Sequence, residues 1–76
     1  MKAFVLINIH AGEIREVVQQ LKKVEGVKDA YMTFGPYDAV AIVESEDINK
    51  LGRILATAIQ PIHGVSETLT CLAVEA

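Results

Sequence analysis

The run Thr33-Phe34-Gly35-Pro36-Tyr37-Asp38 lies between two apolar segments and ends in an acid where a strand of Ala39-Val40-Ala41-Ile42-Val43 begins. Aspartate is depleted in strands, so its place there needs a cause. Two causes are open. Gly35-Pro36 is ordinary hairpin-turn chemistry, and Asp38 can accept bonds from nearby backbone amides. Alternatively, Asp38 anchors the positive group of a ligand. A free amino acid is a zwitterion. Its ammonium needs a carboxylate such as Asp38, and its carboxylate needs hydroxyls or amides. The amides around Gly35 and Tyr37 qualify, and a glycine permits close backbone approach. Pro36 donates nothing itself. Later in the chain Ser66, Thr68 and Thr70 alternate, which places hydroxyls on one side of a strand. The candidate ligand-binding residues are Gly35, Pro36, Tyr37, Asp38, Thr68 and Thr70.

Other reactive side chains read as structural. His10 and His63 do not stand at a metal spacing, and a metal site needs three or four convergent donors. Cys71 sits in an apolar strand and reads as a buried, inert thiol. Glu46 and Asp47 read as helix N-terminal charges rather than a catalytic pair. The sequence carries no phosphate loop, nucleophile elbow or zinc-protease motif. The expectation is no metal, no cofactor and no catalysis.

The elements that must position these residues are set by periodicity. Ala3 to Ile9 is an apolar strand. After Gly12, Ile14, Val17, Val18, Leu21 and Val24 recur at helical spacing, with Glu13 and Glu16 near the start, Lys22 and Lys23 near the end, and Gly26 as the stop. Val27 to Phe34 and Asp38 to Glu44 read as the two strands of a hairpin. Ser45 reads as the N-cap of a second helix, whose stripe is Ile48, Leu51, Ile54, Leu55, Ala58 and Ile59. Pro61 ends it, and Gly64 leads into a last strand from Val65 to about Val74. Gly26-Val27-Lys28-Asp29-Ala30 resembles Gly64-Val65-Ser66-Glu67-Thr68, a weak internal repeat. The order βαββαβ with right-handed crossovers predicts an α+β, ferredoxin-like sandwich: a four-stranded antiparallel sheet, both helices on one face, the first and third strands central.

The other face of that sheet should be polar if it meets water. In the first strand Phe4 and Leu6 oppose Val5, Ile7 and Ile9. In the third, Val40 and Ile42 oppose Ala39, Ala41 and Val43. Both faces are apolar, which predicts that a second copy covers the open one, sheet to sheet. Size points the same way. The chain has 76 residues, one cysteine and 51% hydrophobic residues, so it is a single domain with no internal disulfide. A lone core of this size rarely supplies more than about 3–5 kcal/mol.

The net charge is −3, with the Lys and Arg residues scattered. Phosphate backbones call for a concentrated basic surface, so direct nucleic-acid binding is not expected. No apolar stretch reaches the roughly 20 residues of a membrane span, and the start lacks the pattern of a signal peptide. A cytoplasmic protein is expected.

The Gly35-Pro36-Tyr37-Asp38 turn, the helix after Ser45, the Gly64-Val65 entry and the Glu67-Thr68-Leu69-Thr70 strand resemble the RAM (effector) domain of the Lrp/AsnC, or feast/famine, transcription regulators. The resemblance covers nearly the whole chain. It implies homodimers packed sheet to sheet (the dimeric α/β-barrel type) that assemble into rings, commonly octamers, with an amino-acid effector between dimers near Gly35, Tyr37 and Asp38. Full regulators of that family carry an N-terminal helix-turn-helix domain. This chain starts at the effector domain, so it resembles a stand-alone form over residues 1–76 that co-assembles with a full-length Lrp/AsnC-type regulator. Competing readings are an ACT-type module, a small dimeric α/β-barrel enzyme of monooxygenase or isomerase type using His10 or His63, and a ligand-free oligomerisation scaffold.

Overall fold

A computed structural model of the chain describes residues 1–75. The elements run β1 (Lys2–Ile9), α1 (Ile14–Leu21), β2 (Val27–Met32), β3 (Ala39–Glu44), α2 (Ile48–Ile54) and β4 (Val65–Leu72), with a π-helical turn, Leu55–Ile59, continuing α2. The strands form one antiparallel sheet in the order β2-β3-β1-β4. This is the βαββαβ sandwich that the sequence predicts, with β1 and β3 central.

The core lies between sheet and helices. Ala3, Val5 and Ile7 of β1, Ala39, Ala41 and Val43 of β3, and Val17, Leu21, Leu51 and Ile59 of the helical layer are all essentially inaccessible. The opposite face of the sheet carries Phe4, Leu6, Val40, Ile42, Tyr31, Leu69 and Cys71, since directly opposed residues of antiparallel strands share a face. Phe4 is 38%, Leu69 48% and Tyr31 50% exposed in the protomer. Cys71 is exposed as well, because it pairs with Phe4 on this face. The expectation of a buried thiol is corrected: an apolar strand at a sheet edge, with one face open, does not bury every residue.

Several boundaries also shift. Asp47, not Ser45, caps α2. Its Oδ1 accepts the Lys50 N–H at 2.8 Å, while the Ser45 hydroxyl donates to the Asp47 carbonyl. Asp47 stands in the position from which a short side chain reaches the third helical amide. Lys22 and Lys23 fall beyond the last α-helical residue, Leu21. β2 stops at Met32 and β3 starts at Ala39, so Phe34 and Asp38 belong to the turn. β4 ends at Leu72 rather than near Val74.

The internal repeat is structural. Both helix-to-strand entries use a glycine at positive φ, +97° at Gly26 and +103° at Gly64. In both a valine turns inward, and the pairing then slips by one residue, at Lys28 in β2 and at Ser66 in β4. Each glycine carbonyl accepts an amide from the end of a neighbouring strand: Glu44 N–H to Gly26, and His10 N–H to Gly64. The bulge re-aims the residues beyond it, so Asp29 and Glu67 lie on the open face. It also breaks the expected alternation of hydroxyls. Thr68 and Thr70 share the helix-facing side with Val65, whereas Ser66 is the extra residue, its hydroxyl on the Asn8 carbonyl at 3.0 Å.

On β2, Asp29 accepts the Tyr31 hydroxyl at 2.6 Å and the Ala30 amide at 2.9 Å. These bonds, the tyrosine's first, hold the Asp29 carboxyl below the usual carboxylate range, and Lys22 adds to the effect. The same bond and the carboxylate charge push the Tyr31 phenol up.

A Cβ at Gly64 would stand 2.9 Å from Val17 and 2.6 Å from the Glu13 carboxylate, at a φ that L residues avoid. Gly64→Ala should therefore lose about 1–3 kcal/mol in urea unfolding. In a Tyr37→Phe background, the Tyr31 phenol should titrate by absorbance above the ordinary value of about 10, and Asp29→Asn should bring it down. The pair's contribution to stability is present from above the carboxylate range up to the phenol range. It fades as acid protonates Asp29 and as alkali ionises Tyr31.

Candidate functional site

The turn between β2 and β3 is tied at its base. Thr33 N–H donates to the Asp38 carbonyl at 3.0 Å, and the Thr33 hydroxyl donates to the Tyr37 carbonyl at 2.7 Å. Gly35 sits at φ +144° with open space around it. The loop is therefore closed by polar bonds rather than by packing, and it projects from the end of the sheet.

Asp38 is engaged on both backbone and side chain. Its N–H donates to the Ile7 carbonyl at 2.9 Å, and its Oδ2 accepts the Ile9 N–H at 2.8 Å. The aspartate thus fastens the end of β1 to the start of β3, where the β1–β4 register slips between Asn8 and Ile9. The first of the two causes for an acid at this position is present in the structure. It does not exhaust the carboxylate, since an ionised side chain has about four acceptor positions.

Thr68 and Thr70 lie on the other side of β1, opposite Ile7 and Val5. The Thr68 hydroxyl accepts from Gln60 Nε2 at 3.3 Å, which places it toward the helical layer. From β3 across β1 to β4 is two strand spacings, about 10 Å. Within one protomer, therefore, Gly35, Pro36, Tyr37 and Asp38 stand together, and Thr68 and Thr70 form a separate group. An open groove of about 320 Å³ runs beside Thr68, lined by Gln60, Val65, Ser66 and Glu67. Another, of about 160 Å³, lies against the turn and is lined by Met32, Thr33 and Phe34.

Two sets of residues absent from the sequence-derived group stand out. Phe34 is fully exposed at the turn, and Met32 beside it is 52% exposed. An aromatic directly before Gly-Pro, in a chain with only two Phe and two Tyr, was the available signal. Gln60 is the other, and its sequence context carries no such signal. It bonds Thr68 directly after the π-helical turn, which ends with the Gln60 N–H on the Leu55 carbonyl.

Both histidines lie on the surface. His10 is exposed, and His63 Nε2 lies 3.1 Å from Glu13 Oε1 on the surface. Among the described residues no group of three His, Cys, Asp or Glu side chains could hold a metal ion. No helix of these residues is long and apolar enough to cross a membrane.

Residues 2–76 match the family model for the Lrp/AsnC ligand binding domain. The HTH-type transcriptional regulator FL11 of Pyrococcus abyssi is 36% identical over 72 residues, which are 95% of this chain and 47% of FL11. The crystal structure of TTHA0845 from Thermus thermophilus matches with a TM-score of 0.93 at 32% identity, covering 99% of this chain and 94% of that one. The NMB0573/L-Met complex of Neisseria meningitidis matches in fold, with a TM-score of 0.86 at 20% identity, over 97% of this chain and 49% of that one. The chain spans less than half the length of FL11. With the family model matched across residues 2–76 and the βαββαβ sandwich in place, the chain belongs to the Lrp/AsnC ligand-binding domain family.

Proposed function

We propose that residues 1–76 act as a single effector-binding and oligomerisation unit that senses a free amino acid and modulates assembly with Lrp/AsnC-type transcription regulators. The observation that carries the reading is the polar, tied turn ending in Asp38, set in a chain of this family. The Asp38 carboxylate takes the ligand's ammonium with the lone pairs that Ile9 leaves, and the amides around Gly35 and Tyr37 meet its carboxylate. Thr68 and Thr70 stand too far across the sheet to complete the same contact in one protomer, so in this reading they are contributed across an interface between copies. An L-Met complex of a protein with this fold supports the chemical class of the effector. The role is regulatory rather than catalytic, and the metal-free ligand needs no cofactor.

The open apolar face supports a homodimer packed sheet to sheet, on which higher rings, octamers included, are built. Its anatomy suits an interface. Phe4, Leu6, Val40, Ile42 and Leu69 make an apolar centre, while Lys2 opposite Glu44 at one end and Asn8 opposite Glu67 at the other make polar margins. An amino acid held between dimers favours the assembled form by its differential affinity for it. The alternative of an enzyme requires a proton-transfer group inside a cavity, and both histidines are on the surface.

Thermal unfolding against the twenty amino acids tests the effector. Ligand at about 100 times its Kd should add about 2.7 kcal/mol, a clear rise in Tm. Asp38→Asn keeps an oxygen for the Ile9 amide while removing the charge, so it should abolish that rise with little loss of intrinsic stability. Asp38→Ala should in addition cost about 1–3 kcal/mol by orphaning the Ile9 amide. An undiminished rise in Asp38→Asn removes Asp38 from the site. A flat response to all twenty removes the amino-acid reading. For the dimer, Leu6→Glu puts a charge at the centre of the open face, and light scattering should show the sheet-to-sheet association lost.

A further inference from the structure

Phe34 packs against no part of its own protomer's core: it is fully exposed, in the turn between β2 and β3. Met32, two residues earlier, is half-exposed, and with Thr33 these side chains line the groove of about 160 Å³ against the turn. Clefts that take a drug-sized molecule run from about 300 Å³ upward. The groove is therefore sized for one side chain rather than for a whole ligand. Its lining residues carry no charge, and Thr33 spends its amide on Asp38 and its hydroxyl proton on Tyr37. What is left to meet an occupant is a thioether and an aromatic ring, soft apolar groups that suit an aliphatic, sulfur-bearing or aromatic partner.

The strand pairing sets where this groove stands relative to Asp38. Met32 lies opposite Ala39, and the Thr33 amide bonds the Asp38 carbonyl, so groove and aspartate belong to the two arms of one turn. The Asp38 carboxylate points away from β2, onto the Ile9 amide of β1. From the gap between β1 and β3 to β2 is about one and a half strand spacings, about 7 Å. Gly35 lies within the turn with open space where a Cβ would stand, which leaves the way across it clear. An amino acid whose ammonium rests on Asp38 reaches the groove only with a long side chain.

We propose, resting on the amino-acid reading of this turn, that Phe34 and Met32 determine specificity and that the effector is an amino acid with a long, uncharged, apolar side chain, of the methionine, leucine or phenylalanine class. Glycine, alanine and serine leave the groove empty. An acidic side chain meets no counter-charge in the lining and loses its water there. A cationic one is attracted by a ring face, but Arg15 and Lys22 line the neighbouring groove on the other side of Met32 and oppose it.

Titration calorimetry of the full chain with L-methionine, L-leucine, L-phenylalanine, L-alanine, L-glutamate and L-lysine tests the assignment. At least one of the first three should bind about tenfold or more tightly than each of the last three, the scale on which an apolar pocket discriminates. Phe34→Ala should weaken that binding by about tenfold and leave any binding of L-alanine unchanged, and Phe34→Leu should recover most of the loss. An exposed ring supports no core, so the unliganded Tm should not move in either variant. Tightest binding of L-alanine, L-glutamate or L-lysine, or binding that Phe34→Ala does not weaken, would overturn the specificity assignment while leaving Asp38 as the ammonium anchor. No binding of any of the six, with none of the twenty amino acids raising Tm, would remove the amino-acid reading and this inference with it. A lower assembly mass of unliganded Phe34→Ala by light scattering, with selectivity unchanged, would assign the ring to contact between copies instead.

Discussion

Backbone pairing of β1 on both of its edges is the constraint on which the remaining structure depends. β1 binds β3 on one side and β4 on the other, so its eight residues fix the register of strands far apart in sequence. Because successive side chains alternate, one register assigns Ala3, Val5, Ile7 and Ile9 to the helical layer and Phe4, Leu6 and Asn8 to the open face. A slip of one residue would exchange the two sets. The core tolerates no such exchange, since Ala3, Val5 and Ile7 are fully enclosed.

That pairing also explains the polar ties at the sheet's end. β1 outlasts its regular ladder at Asn8–Ile9, where the β4 register slips. The Ile9 amide is then satisfied by a side chain, Asp38, and the His10 amide by the Gly64 carbonyl. A part-buried amide without a partner is costly, so these bonds decide where the sheet ends and where the turn stands. Asp38, the residue proposed to take a ligand's ammonium, therefore also holds the scaffold. A carboxylate fixed by a backbone amide cannot swing away, a pre-organisation that would favour the proposed binding.

A protomer of this size leaves much of its apolar surface uncovered, and part of it is gathered on one face of the sheet. Phe4, Tyr31 and Leu69 share the open face, and the hairpin adds Met32 and Phe34. By contrast β2 is guarded along its edge by Asp29 and a bulge. The chain thus combines faces that invite association with an edge that resists it, which is how a small module specifies its assemblies without aggregating.

Periodicity in the sequence was enough to determine the order of elements, the core-facing residues of β1, β3 and α1, and the doubly apolar character of the sheet. Those depend on nearest neighbours along the chain, and a period of 2 or 3.6 reports them directly. The family could likewise be read from the turn and the Gly-Val entries. What tertiary structure alone decided were matters of long-range pairing. The bulge at Ser66 depends on the partner strand, and it moved that hydroxyl out of line with Thr68 and Thr70. Asp47 took the cap from Ser45 because one residue's difference in where the helix starts changes which side chain reaches the third amide. The partner of Asp38, Ile9, lies 29 residues away and carries no sequence signal, since any residue supplies an amide. For the same reason Thr68 and the turn, both legible as polar groups, were placed on separate strands with β1 between them. Sequence reports what a residue can bond, and only the register of the strands sets what stands beside it.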